Sequence, residues 1–196
     1  SQKARADFPF WFWFGVVVTL LCWIVMWGQF SWLGKIVRFT FVPMAWGVIL
    51  SVDGWVYQRT GGHSLLAKRP RTVAAIAIAS VPGWYIFQYL NYFLLKNWYY
   101  PADPNLLSPF GYHLWHQIGN TTVITGVLEW YCLLGTFDRL KHRYMHGPKI
   151  DLTKFGAFFL IVGVLDAVLL GIWPISLFWS VWLGPAFVLG GALLMS

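Results

Sequence analysis

The sequence predicts an all-α fold: a polytopic transmembrane helix bundle of six spans, with both termini on the cytoplasmic side. Three observations lead to this prediction. The 196 residues are 58% hydrophobic and only 11% charged, and the mean hydropathy is +0.60, whereas soluble domains carry about 25% charged residues. The apolar residues form runs of about 20, the length that crosses a bilayer core. The basic residues alternate between successive connections.

The six runs occupy residues 10–28, 36–56, 73–95, 117–137, 155–173 and 174–195. They use nearly all of residues 1–196, so a single integral membrane domain is predicted. The first run is as long as a full span and lacks a small-residue cleavage site, so we expect a permanent helix rather than a signal peptide. The last two runs meet at Pro174, which cannot continue a helix. A tight hairpin on the outer side is therefore expected there.

Basic residues determine the predicted orientation. Lys and Arg are concentrated in the N-terminus, the second connection and the fourth connection, while the opposite side has only Lys35, Arg38 and Lys96. The positive-inside rule makes the first side cytoplasmic. The expected location is a bacterial inner membrane. The basic residues expected to contact anionic lipid headgroups are Arg69, Arg71, Arg139, Lys141 and Arg143. The net charge of +7 therefore has an explanation without nucleic acid.

The longest outer connection covers residues 96–116, where three prolines and many aromatic residues predict a loop on the membrane surface or a cap over the bundle. His113 and His116 at its end share one helical face, a spacing that can hold a metal. A metal site needs three or four ligands, and only Asp103 is near in sequence. We therefore predict no metal, and an interfacial pair that bonds headgroups or backbone. No histidine lies in mid-membrane, which argues against haem.

Two acids fall inside predicted spans, Glu129 in the fourth and Asp166 in the fifth. An ionisable group inside a span is a functional candidate by default. The two acids lie at similar predicted depths and would meet if these helices are neighbours. Threonine hydroxyls on the same face as Glu129, and amides of the third helix, are expected to join them. The predicted intramembrane polar network is Gln88, Asn91, Thr122, Thr125, Glu129 and Asp166.

These acids have two interpretations. One is a structural polar lock, in which the carboxyl groups are hydrogen-bonded between helices. The other is a functional role in proton transfer, headgroup binding or acid catalysis. Asp53, near the inner end of the second helix, is expected to pair with a loop arginine such as Arg59. Cys22 and Cys132 differ in predicted depth, so we expect free thiols.

One stretch resembles a known group of proteins. Residues 53–66 (DGWVYQRTGGHSLL) precede a span with Gln88-Tyr-Leu-Asn-Tyr92 and then Asn97-Trp-Tyr-Tyr-Pro101. This central third resembles an uncharacterised family of bacterial multi-pass membrane proteins with an aromatic–Asn–aromatic element before a Trp-Tyr segment. An acid is expected beside that element, where this chain has Gln88. The resemblance implies a multi-pass membrane fold and no activity.

Three functions follow from these features. The favoured one is a non-catalytic integral subunit that packs against lipid, a hydrophobic cofactor or partner helices in a larger membrane assembly. The second is a membrane enzyme acting on a lipid or isoprenoid substrate, with Glu129 and Asp166 as acid–base groups. The third is a small transporter using the same acids, which an inverted repeat would favour. No clear similarity between the two halves of the sequence supports it.

Overall fold

A computed structural model describes residues 5–96, 99–100, 103, 105–145, 151–174 and 176–195. The structure is 82% helix, and the described residues contain no strand, so the all-α prediction is confirmed. The helices are α1 Phe10–Gly28, α2 Phe41–Arg59, α3 Leu65–Lys68, α4 Pro70–Leu90, α5 Pro109–Leu134, α6 Asp138–Met145, α7 Gly156–Ile172 and α8 Leu183–Met195. Short 3₁₀ segments cover Ser31–Phe39, Thr153–Phe155 and Phe178–Trp182, and a π turn covers Asn91–Leu95.

Three stretches are long and apolar enough to cross a membrane: Phe10–Gly28, Pro70–Phe93 and Thr153–Ile172. A fourth is added if Ser31–Phe39 and Phe41–Arg59, which meet at a 62° bend, count as one span. Helix α5 is long enough with 26 residues, but its amide, hydroxyl and acid side chains lower its hydropathy. The chain therefore has the apolar helices that an integral membrane protein requires.

Three helix boundaries differ from the sequence prediction. Helix α2 begins at Phe41 rather than at 36, because the preceding residues form the 3₁₀ segment Ser31–Phe39, which meets α2 at a 62° bend. Helix α5 begins at Pro109, well before 117. Ser108 caps it, since its Oγ accepts a hydrogen bond from the Gly111 N–H at 3.1 Å, and proline suits the first helical position.

The third difference concerns the last apolar run. Pro174 lies in a turn, and a 3₁₀ segment precedes α8, which begins only at Leu183. The uninterrupted apolar composition of residues 174–195 hides this change of backbone conformation. The last helix is therefore 13 residues long, shorter than the predicted span.

The chain forms two compact units. The first contains Ser1–Tyr85 and Pro101–Met145, and the second contains Ile86–Tyr100 and His146–Ser196. In the first unit, α2 packs against α1 and also against α5. In the second, α7 packs against α8. Helix α2 is therefore the central element of the first unit.

Both helix pairs are held by close backbone contact at glycines. In the first unit, a Cβ on Gly15 would lie 2.5 Å from the Gly47 carbonyl oxygen. In the second unit, a Cβ on Gly163 would lie 2.7 Å from the Val188 nitrogen, and one on Gly191 would lie 2.5 Å from the Leu160 nitrogen. Small residues let helices approach this closely, which is how helices associate in lipid.

Two adjacent glycines of α8 test this packing. Gly191→Ala should lower the free energy of unfolding by about 1–3 kcal/mol, because the new methyl group displaces the α7 backbone. Gly190→Ala is the matched control, because a Cβ there meets no atom within 4 Å. It should be neutral or slightly stabilising. Denaturation of the detergent-solubilised protein, followed by circular dichroism, measures both. Equal stability of the two variants would contradict close α7–α8 packing.

Candidate functional site

The most fully hydrogen-bonded acid in the first unit is Asp53, in the last two turns of α2. Its side chain is buried, at 1% exposure. Oδ2 accepts hydrogen bonds from Trp11 Nε1 at 3.0 Å and from Ser64 Oγ at 2.8 Å. Oδ1 accepts one from the Leu66 N–H at 2.9 Å. The Asp53 side chain therefore joins α1, α2 and the start of α3.

The expected Asp53–Arg59 pair is wrong. Arg59 instead donates from Nε to Thr136 Oγ1 at 2.7 Å and from Nη2 to the Thr136 carbonyl at 3.2 Å. Its guanidinium also lies 4.1 Å from the centre of the Phe137 ring, a favourable cation–π contact. Arg59 therefore fastens the end of α2 to the segment that follows α5. The partners of Asp53 come from another helix and a loop, so sequence proximity to an arginine gave the wrong pair.

Glu129 of α5 is buried as deeply as Asp53, at 1% exposure. It lines a pocket of about 210 Å³ between α2 and α5, whose other walls include Ala45, Ile49, Val52, Thr122, Gly126 and Trp130. The α5 face expected from the sequence therefore exists. The neighbour that it contacts in this unit is α2, where the sequence suggested the fifth predicted helix.

The hydroxyl groups near Glu129 do not satisfy it. Thr122 donates to the Gly119 carbonyl at 2.7 Å, and Thr125 donates to the Thr121 carbonyl at 2.8 Å. Each hydroxyl has one proton, so neither has a donor left for the acid. Glu129 Oε2 is fully buried without a hydrogen-bond partner. The expectation that these threonines would satisfy the acid is therefore wrong for this oxygen.

The remaining members of the predicted polar network belong to the second unit. Asp166 of α7 has a fully buried Oδ2 without a hydrogen-bond partner, and a Cβ on Gly184 would lie 2.5 Å from that oxygen. Gln88 donates from Nε2 to the Tyr100 hydroxyl at 3.4 Å. Asn91 is buried in the π turn. Among the described residues, each unit thus contains one buried carboxyl oxygen without a partner. A single network that includes both acids stays a prediction.

A buried serine that the sequence analysis did not single out contacts the backbone of α5. Ser80 of α4 is fully buried. Its Oγ donates to the Asn120 carbonyl at 2.6 Å and accepts from the Ile124 N–H at 3.0 Å. These are the two backbone groups that pair with each other in a regular α-helix. Ser80 therefore inserts its hydroxyl into one turn of α5 and holds α4 against it, which no sequence motif indicates.

His113 and His116 lie near the start of α5, as part of the helix rather than of a loop. His113 Nε2 is 3.3 Å from the Tyr85 hydroxyl, and the ring centres of His116 and Tyr112 are 6.2 Å apart. In the described part of the chain, no three His, Cys, Asp or Glu side chains are grouped in a way that could hold a metal ion. The two histidines are thus aromatic and hydrogen-bonding contacts at one end of the first unit.

Asp103 connects the segment before α5 to the 3₁₀ segment before α2, within the first unit. Its Oδ2 lies 3.1 Å from Lys35 Nζ and 3.6 Å from Arg38 Nη1. Hydrogen bonds from the backbone N–H of Asn105 and from Lys35 hold the pKa of Asp103 below its usual value. The carboxylate therefore stays charged at neutral and mildly acidic pH and keeps the two segments together.

The predicted headgroup contacts are exposed where they are described: Arg69, Arg71, Arg139 and Arg143. The side chain of Lys141 lies outside the described residues. Both cysteines, Cys22 and Cys132, are free thiols.

No protein-family model, curated protein or solved structure matches this chain. The resemblance of its central third to a family of bacterial multi-pass proteins therefore stays a prediction.

Asp53 offers a direct test of the contacts that it makes. Asp53→Ala should lower the free energy of unfolding by about 3 kcal/mol, because one buried and two part-buried donors lose their acceptor. Trp11→Phe removes one of the three hydrogen bonds and should cost about 1–2 kcal/mol. Asp138→Ala, at an exposed position, is the control. Denaturation in mixed micelles measures all three, and an Asp53→Ala protein as stable as the control would refute this role.

Proposed function

We propose that the chain is a non-catalytic integral subunit of a larger membrane assembly, which packs against lipid, a hydrophobic cofactor or partner helices. The observation that carries this proposal is the exposure of α1. Gly15 is its only buried residue, and its exposed tryptophans include Trp13, Trp23 and Trp27, at 57%, 53% and 74%. Apart from the side that contacts α2, this helix offers a broad aromatic and aliphatic surface to lipid or to partner helices.

The polar groups of the first unit support the same role. Asp53, Arg59 and Ser80 all bond to groups of the chain itself, between helices or between a helix and a loop. Side chains used in this way hold the bundle together. A scaffold of this kind fits a subunit whose work is to pack against other components.

The proposal includes six spans, cytoplasmic termini and a bacterial inner membrane. Two sets of contacts in the first unit support this arrangement. Asp103 meets Lys35 and Arg38 at one end, as expected if the first and third connections lie on the same side. Asp53 and Arg59 contact the second connection and the segment after α5, as expected for the opposite side.

A second candidate function is supported by the buried acids. Glu129 Oε2 and Asp166 Oδ2 lack partners, and unsatisfied buried polar groups are found at catalytic sites. This observation favours a membrane enzyme acting on a lipid or isoprenoid, with these carboxyl groups as acid and base. A transporter using the same acids as a relay is a weaker alternative.

Single cysteines test the proposed topology. In a protein in which Cys22 and Cys132 are replaced by alanine, we expect Asn105→Cys and Ser176→Cys to react with a membrane-impermeant maleimide added to intact cells. Asp138→Cys should react only after the cells are lysed. Labelling of Asp138→Cys in intact cells would overturn the orientation. Protection of Ser176→Cys in intact cells would overturn the outer hairpin before α8 and with it the six-span arrangement.

The native mass tests the proposed function. Protein solubilised from its own membranes in mild detergent should migrate well above the mass of one or two copies, together with other polypeptides. Glu129→Gln should leave this mass unchanged, because the amide keeps the shape and hydrogen-bonding capacity of the acid. A lone monomer or dimer would contradict the subunit proposal. A changed profile of membrane lipids or isoprenoids in cells with Glu129→Gln, at equal protein level, would favour the enzyme.

A further inference from the structure

The pocket between α2 and α5 is open because Gly126 has no side chain and no neighbouring residue fills the space beside it. A Cβ on Gly126 would find its nearest neighbour, Ile49 Cγ1, at 3.9 Å. The glycines between α1 and α2 behave differently, since a Cβ on Gly47 would lie 2.6 Å from Thr19 Oγ1. Glycine thus allows close helix contact in one place and leaves a space of about 210 Å³ in the other.

The side chains that line this space are apolar except for Glu129, Thr122 and the indole N–H of Trp130. The Thr122 hydroxyl already donates to its own helix, and Glu129 Oε2 has no partner. A buried acceptor without a donor costs free energy, which a bound molecule with an O–H or N–H group would recover. Oε2 is closed off from water-sized space, so a ligand in the pocket bonds to it after the carboxyl group turns about the last side-chain torsion, which is soft.

The size and polarity of the pocket select the ligand. A cavity of about 150 Å³ with apolar walls holds a benzene molecule, so this one has room for a ring with a substituent or for a short length of alkyl chain. An anion would lose its hydration beside a carboxyl group, because the walls contain no positive charge to compensate it. The walls offer a water molecule chiefly Glu129 and Thr122, which is the lower end of the two to four polar partners that a buried water needs. A neutral alcohol combines the required apolar body with one hydrogen-bond donor.

We propose that the pocket between α2 and α5 binds the hydroxyl-bearing end of a neutral membrane alcohol, with the carboxyl group of Glu129 as its polar partner. The pocket belongs to the first unit alone and does not depend on the proposed assembly. A lone chain and an assembled one would bind the alcohol equally.

A photoreactive alkanol carrying a diazirine tests this site on the purified full-length protein in detergent. After irradiation and proteolysis, mass spectrometry should find the label on α5 between Thr122 and Trp130. Gly126→Leu should reduce the labelling about tenfold, because the leucine side chain occupies the pocket. Val127→Leu is the matched control, since Val127 is 69% exposed, and it should label like the parent protein.

Competition by unlabelled compounds distinguishes a site that recognises a hydroxyl group from a site that is only apolar. Unlabelled 1-octanol should protect the pocket, while n-octane should protect about tenfold more weakly, the effect of one hydrogen bond to a buried carboxyl group. Glu129→Leu should remove this difference, and Glu129→Gln should keep it. Equal protection by octane and octanol in the parent protein would overturn the proposal even if Gly126→Leu failed to fold. A Gly126→Leu protein that folds and is labelled as strongly as the parent protein would also overturn the proposal.

Discussion

The close backbone contact between helices is the constraint on which the rest of the structure depends. Lipid tails are as apolar as leucine, so the hydrophobic effect does little to bring two helices together within a bilayer. Dispersion forces between well-fitted surfaces must do so instead, and they fall off steeply with distance. Gly15 against Gly47, and Gly163 against Gly184, give each unit such a surface.

Hydrogen bonds between polar groups fix the relative positions of the packed helices. Asp53 accepts hydrogen bonds from Trp11 and Ser64, so it determines how α1 and the start of α3 are placed around α2. Arg59 and Ser80 place α5 in the same way. A glycine surface alone lets two helices slide or rotate, whereas these hydrogen bonds have one geometry. Glu129 is the exception, because its buried oxygen makes no bond within the chain.

The sequence predicts a helix correctly where apolar composition alone determines its bounds. The observed bounds of α1, α4 and α7 lie within a few residues of the apolar runs. The start of α5 is missed because Ser108-Pro109 fits both a turn and a helix cap, and only packing decides between them. The burial of Glu129 follows from its place in an apolar run. The contact of Glu129 with α2 and the hydrogen bonds of Asp53 depend on which helices pack together. Residues that are close in sequence do not contain that information.

The composition of α5 has a consequence for the biogenesis of the protein. Helices with hydroxyl, amide and acid groups leave the translocon for lipid less readily than purely apolar ones. Ser80 of α4 bonds to the α5 backbone, and α2 covers Glu129. Both helices are synthesised before α5. In the proposed six-span arrangement, the earlier helices would provide the surface on which α5 enters the membrane, and the order of synthesis would be part of the folding pathway.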